Sequence, residues 1–475
     1  MMITEAHELP AAAATKDAPA VPASCRVQGI SRPTLDSDIH FEIDIPVGSA
    51  WNGRYLQLGN GGFAGSLPDD MLDVLAAGYA VAGTDDGHQS QSGFDASWAL
   101  GHPEKVIDFG YRALKETTDA ARAILRAYEG RAPAHSYFQG CSDGGREALM
   151  EAQRYPDDFD GIVVGAPANH WTRLAAMLAA EYQALNAIPA SYVPAAKLRA
   201  LEDAALSACG AVDGVIEDPL SCRFDPAVLR CKGADEGTCL TDAQLKAVRS
   251  IYAGTKNPRT HEVIEPGPEP GVEAERRGWS ILVGHGPGTT KGTAFEYARN
   301  FYAFVVFADP AYDVMHLNLD TDVAMAEAKI APILNAEAVD LGAFQKHGGK
   351  LIHYHGWGDP LIPPRDSVQY YEAVHAKMGD TSGFYRLFMA PGMLHCGGGA
   401  GPNVITTLPA ITDWVENGKA PDRLLAAKLA GEGPDTAVDH TRPLCPYPML
   451  AVWDGKGDRK RAESYACQQP VRSGK

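Results

Sequence analysis

Gly140-Cys141-Ser142-Asp143-Gly144-Gly145-Arg146 places a serine inside the pattern G-x-S-x-G, between a β-like run and a helix-like run. Upstream, His135-Ser136-Tyr137-Phe138-Gln139 carries two aromatics suited to a strand, and downstream Glu147-Ala148-Leu149-Met150-Glu151-Ala152-Gln153 reads as helix. A sharp strand-to-helix turn needs small neighbours, presents the hydroxyl at the carboxyl edge of a sheet, and aims the amides of the new helix at a developing oxyanion. In a chain with 49 glycines the same pattern also describes an ordinary turn, so its distant partners decide the reading.

A serine hydroxyl attacks a carbonyl only when an imidazole, itself oriented by a carboxylate, takes its proton. In the α/β-hydrolase order the acid and then the base follow the serine, on loops after late strands. Gly356-Trp357-Gly358-Asp359-Pro360 follows a strand-like run at 351–355, and Pro391-Gly392-Met393-Leu394-His395-Cys396-Gly397 follows another at 385–389. Asp359 and His395 are therefore the expected acid and base for Ser142. Taken singly, Asp359 before Pro360 also suits a turn and His395 a surface loop. His353 and His355 compete as bases, but they lie within the strand and are expected to pack beside the site.

The 475 residues are 45% hydrophobic and 21% charged, enough for a full core and two packed units. Forty-two Lys and Arg against 60 Asp and Glu leave a net charge of −18, which argues against nucleic acid or an anionic membrane as partner. No stretch reaches the ~20 apolar residues of a membrane helix. Nine cysteines lack the C-x-x-C spacing of a zinc site, so disulfides are expected. Cys209–Cys222, Cys231–Cys239 and Cys445–Cys467 would close short loops, and Cys141–Cys396 would join distant segments if Ser142 and His395 meet. Cys25 is left over. Such pairing implies an oxidising compartment, hence a secreted or periplasmic protein. Residues 1–23 show no apolar signal core, which keeps a cytoplasmic location open.

Strand-like runs at 39–45, 54–58 and 79–83, a helical stripe from Asp108 to Tyr128, the serine turn and a buried strand at 161–165 describe an α/β core. The expected layout is an N-terminal tail at 1–24, a first core part at 25–170, and a second at 350–475. Residues 171–349, with four cysteines and Pro/Gly-rich turns, are too long for a loop and read as a lid domain.

Cys141-Ser142, Asp359 and His395-Cys396 resemble the CS-D-HC signature of the tannase/feruloyl esterase family, which includes mono(hydroxyethyl) terephthalate hydrolase. Trp51-Asn52-Gly53-Arg54, Gly59-Asn60-Gly61-Gly62-Phe63, Thr84-Asp85-Asp86-Gly87-His88 and Gly165-Ala166-Pro167-Ala168 extend the resemblance over nearly all of the chain from about Cys25. It implies an α/β-hydrolase fold with a large inserted lid, and a serine esterase that cleaves hydroxycinnamoyl or galloyl esters through an acyl-enzyme. No cofactor is required for that chemistry. The amides of Asp143, Gly61 and Gly62 would form the oxyanion hole, although the glycine loop also suits a simple turn.

Members of the family typically hold calcium in an Asp-rich loop. Here the segment between Cys209 and Cys222 is about four residues shorter than that pattern, and Asp213, Glu217 and Asp218 are the candidate ligands for a structural ion that wants six to eight oxygens. Solvated loop carboxylates are the alternative. Trp279, Phe301, Phe304, His355 and Ile362 are the candidate substrate contacts, with core packing as the competing role for the aromatics. No arginine suited to a terephthalate carboxylate is evident in Gly284-His285-Gly286-Pro287-Gly288-Thr289-Thr290. A hydrolase of small aromatic mono-esters is thus the alternative substrate reading, and a non-catalytic binding protein on the same scaffold the alternative of another class.

Overall fold

Runs such as Gly161–Gly165 and Ala80–Thr84 can become strands because both of their faces are covered, and every residue in them is buried. In the computed structural model, which describes residues 1–16, 18–283, 292–431 and 436–470, they belong to a nine-stranded sheet. Its strands are β1 (Met2–Leu9), β2 (Ser24–Ser31), β3 (Ile39–Pro46), β4 (Arg54–Leu58), β5 (Ala80–Thr84), β6 (His135–Cys141), β7 (Gly161–Gly165), β8 (Lys350–Gly356) and β9 (Tyr385–Ala390). They are ordered β1-β2-β3-β5-β4-β6-β7-β8-β9. The pairs from β1 to β5 are antiparallel, and all pairs from β5 onward are parallel. This is an α/β-hydrolase sheet.

The stretch expected to be a tail, 1–24, instead contributes β1, which pairs along its length with β2. Its side chains stay exposed, so backbone pairing alone makes the strand and no burial pattern marks it in the sequence.

The principal helices are α1 (Ala113–Glu129), α2 (Asp143–Arg154), α3 (Trp171–Asn186), α4 (Thr293–Asn300), α5 (Pro364–Met378) and α6 (Leu408–Asn417). α1, α2 and α5 bury Leu114, Leu125, Leu149, Tyr370 and Val374 against Phe138, Ile162 and Leu351 on one face of the sheet. α6 covers the other face, with Ile411 and Trp414 on Tyr137, Val163, Ile352 and Phe388. Each such side chain is worth roughly 1.5–3 kcal/mol when fully buried.

β7 and β8 pair side by side although residues 166–349 lie between them in sequence. That insertion contains α3 and α4 and packs around Leu178, Leu185, Leu201, Val248, Trp279 and Phe301, a core that continues into Phe63, Phe109 and Ile362 beside the sheet. It leaves the sheet at the carboxyl end of β7, beside the end of β6, and so lies over the serine turn. All four expected disulfides are present, and Cys25 is free and buried.

Candidate active site

Ser142 stands between the last residue of β6 and the first of α2 with φ 68° and ψ −121°, a conformation that non-glycine residues rarely adopt. Close packing around it holds the turn. A Cβ on Gly140 would lie 2.4 Å from the Gly144 carbonyl oxygen, and one on Gly145 would lie 2.2 Å from that of Gly165, so both positions exclude side chains. The Ser142 N–H donates to Gly165 O at 3.0 Å, and its carbonyl accepts from Ala168 and Arg146.

Three far-apart segments converge here. His395 Nε2 lies 2.9 Å from Ser142 Oγ, and His395 Nδ1 lies 2.6 Å from Asp359 Oδ2. Asp359 is fully buried; its Oδ1 accepts from the Leu361 and Ile362 amides, and its Oδ2 accepts a second bond from His355 Nε2 at 3.1 Å. Burial opposes its charge, but the charge of His395 and the hydrogen bonds from His355 and His395 outweigh it and hold the carboxyl well below the usual carboxylate range. Beside them the Cys141–Cys396 disulfide spans 255 residues of sequence and ties the serine turn to the histidine loop, where Cys396 has φ 56°.

Ser142 lines a cavity of about 390 Å³ whose other walls include Gly62, Phe63, Trp171, Leu174, Tyr297, Phe301, Leu361 and Ile362. Phe63 packs its ring 5.5 Å from both Trp171 and Tyr297. No charged side chain lines it among the described residues. Burial pushes the Tyr297 hydroxyl up to about 12, so it stays a neutral phenol.

Of the expected substrate contacts, Phe301 and Ile362 line this cavity and the other three do not. Trp279 is wholly buried in the lid core, 5.0 Å from the Tyr252 ring. Phe304 lies under the Arg299 guanidinium on a different groove, because the chain from Phe301 to Val306 is a π-turn whose wider i→i+5 spacing swings position 304 off the face of 301. His355 faces Asp359 and not the cavity. Residues 284–290, where a carboxylate-binding arginine would be expected, lie outside the described residues.

The first turn of α2 carries a buried charge cluster that sequence reasoning did not single out. Arg146 donates to Asp143 at 2.5 Å and to the carbonyls of Gly110 and Phe109, and its guanidinium stands over Phe109 and Trp171. Asn60 donates its side-chain amide to Thr84 O and Asp86, donates its backbone N–H to Glu147, and accepts from the Gly144 amide. Burial raises both Asp86 and Glu147, so this acidic pair holds a proton. Through Asn60 the glycine loop is pinned to the serine helix. Among the described residues the N–H groups of Asp143 and Gly62 have no hydrogen-bond partner.

The expected calcium ligands do not converge. Asp213 is 69% exposed and faces Arg442 at 4.0 Å, burial pushes Glu217 up, and Asp218 accepts from Ser221. None of the three belongs to a described cluster with ligand atoms within 4.8 Å of one another. This donor set does not fit a calcium cage. Asp213 faces solvent while Glu217 is half-buried, and the Arg442 guanidinium is the cation beside both.

Sheet, inserted lid and serine turn together define an enzyme of the α/β-hydrolase class. Residues 25–468 match the family described as tannase and feruloyl esterase, and the chain belongs to that family. It is a carboxylic ester hydrolase. It is 42% identical to an uncharacterized esterase of Xanthomonas campestris pv. campestris, over 98% of this chain and 88% of that one. It is 32% identical to the mono(2-hydroxyethyl) terephthalate hydrolase of Piscinibacter sakaiensis, over 97% and 87%. The crystal structure of feruloyl esterase B from Aspergillus oryzae superposes with a TM-score of 0.86 at 29% identity, covering 98% of this chain and 96% of that one.

Proposed function

We propose that this esterase cleaves esters of uncharged aromatic acids, of the hydroxycinnamoyl or galloyl kind, through an acyl-enzyme on Ser142. The observation that carries this reading is the cavity beside Ser142, walled by aromatic and aliphatic side chains and free of charge among the described residues. A flat phenolic acyl group buries its faces there; a terephthalate carboxylate would enter without a partner, at a cost of several kcal/mol.

Ser142 Oγ attacks the ester carbonyl while His395 Nε2 takes its proton. Asp359 stays ionised, keeps the His395 Nδ1–H in place and stabilises the imidazolium. The tetrahedral oxyanion accepts from the free N–H groups of Asp143 and of the loop at Gly61 and Gly62; one such donor is worth about 3 kcal/mol. His395 then protonates the departing alcohol, and water attacking the acyl-enzyme reverses the sequence. The chain itself supplies every reacting group, so no cofactor enters. The four disulfides support a secreted or periplasmic site of action.

Methyl ferulate, methyl gallate and mono(2-hydroxyethyl) terephthalate assayed side by side test the substrate class. The two phenolic esters are expected to have the higher kcat/KM, and a preference for the terephthalate overturns the assignment. An organophosphonate should label Ser142 and no other serine.

A further inference from the structure

A second run of polar groups leads away from Asp359 into the core, and ester cleavage as derived above gives it no role. His353 and His355 lie two residues apart on β8, Ser367 lies in the first turn of α5, and Tyr385 opens β9; all four are 0% exposed. His355 Nε2 is 3.1 Å from both Asp359 Oδ2 and the Ile362 carbonyl oxygen, and its Nδ1 is 2.7 Å from Ser367 Oγ. That hydroxyl is 2.9 Å from His353 Nε2, whose ring places Nδ1 2.8 Å from the Tyr385 hydroxyl.

With both imidazoles neutral, proton counting fixes the direction of each bond. A carboxylate and a carbonyl only accept, so His355 Nε2 carries the hydrogen; in the neutral ring Nδ1 then accepts, and the Ser367 hydroxyl donates to it. Having used its one proton, Ser367 accepts from His353 Nε2–H, and His353 Nδ1 accepts from Tyr385. Burial and the neighbouring His355 hold His353 far below the usual imidazole value, as a neutral ring in this position requires. Every donor therefore points toward Asp359.

Taking Ser142, His395 and Asp359 as the reacting groups, we propose that Tyr385, His353, Ser367 and His355 form a one-way hydrogen-bonded series that positions Asp359 and sets the basicity of His395. Asp359 Oδ2 is shared between His395 and His355, so the His355 donor takes up part of the carboxylate's charge and fixes its plane. Without that donor more charge faces His395, its protonated form gains, and the base titrates at higher pH. The other titratable groups near the series are Tyr370 and Tyr371 of α5, beside Tyr385, and Asp366 of α5, which pairs with His170 at 2.6 Å. No Lys or Arg hydrogen-bonds to it among the described residues.

Ser367→Ala removes the proton that His355 Nδ1 accepts, leaves that nitrogen unpaired and loosens the ring's hold on Asp359. The acidic limb of kcat/KM is expected to move up by about half a pH unit, with kcat/KM down roughly threefold on that limb. Ser367→Thr, which keeps the hydroxyl, should restore both. A fall in rate that is equal at every pH, with the limb unmoved, would mean packing alone and overturns the proposal. Should Ser367→Ala not fold, ¹⁵N NMR of histidine-labelled wild-type enzyme, assigned with His355→Gln and His353→Gln, reads the tautomers directly. Hydrogen on Nε2 of both rings supports the series, and hydrogen on Nδ1 of His355 overturns it. Failure of the nucleophile assignment shows separately, as an organophosphonate that leaves Ser142 unlabelled.

Discussion

Asn60 shows how one side chain can serve two parts of a site. Its amide and backbone bind Thr84, Asp86, Glu147 and Gly144 together, and the loop carrying Gly61 and Gly62 follows directly. Asn60→Ala leaves the buried Asp86 carboxyl short of a donor, which costs about 1–3 kcal/mol, and loosens the Gly61 and Gly62 amides proposed above to meet the tetrahedral state. kcat should fall at least tenfold with KM little changed, by steady-state kinetics beside a thermal melt. The two lid tryptophans should separate in the same assays. Trp279→Ala empties a packed core and is expected to cost about 3–5 kcal/mol without changing substrate preference, whereas Trp171→Ala should change the preference itself. Residue order singled out Ser142, Asp359 and His395, which the fold joins in series by hydrogen bonds, because each follows a strand. The cavity wall was less legible, since whether an aromatic such as Trp279 or Phe304 faces a cavity, the core or a surface groove depends on how turns of unequal pitch rotate the lid.

At the level of elements, the serine turn and the histidine loop are held in register by the Cys141–Cys396 bridge, which closes 255 residues. In the chain-entropy picture such a closure is worth roughly 5 kcal/mol. Replacing both cysteines by serine should lower the melting midpoint and cut kcat more than tenfold, because His395 precedes the strained Cys396. Removing Cys231–Cys239, which spans 8 residues within the lid, should leave kcat near normal. Strand positions were readable wherever alternation or a buried run set them: 54–58 and 161–165 form as expected. β1 was not, because a strand with both faces exposed carries no burial signal and is defined by its partner.

Across the whole molecule, buried carboxyls govern how stability follows pH. Burial pushes Glu147 and Glu273 up to about 7 and raises Glu151, Glu181 and Glu265 well above the ordinary glutamate value. Their folded-state values exceed the unfolded one, so the native state holds the extra protons. The stability they contribute is full below about pH 4.3 and is lost as pH rises through the folded values. Asp359 works in the opposite sense, but its contribution disappears only in far stronger acid. The melting midpoint should therefore fall between pH 5 and pH 8, as differential scanning calorimetry across that range will show. Glu181 is 3% exposed, and neither of its oxygens has a hydrogen-bond partner among the described residues. Glu181→Gln should flatten that slope and raise the midpoint at pH 8, by the equivalent of roughly 1–3 kcal/mol.

The placement of the lid between two adjacent strands also shapes how the molecule is made. A nascent chain that has just released β7 carries an open parallel edge, and the strand that will cover it begins only at Lys350. Throughout synthesis of the intervening lid that edge is free to bind other nascent segments or to aggregate. Ser142, already translated by then, meets His395 and Asp359 only after the last third of the polypeptide has been made.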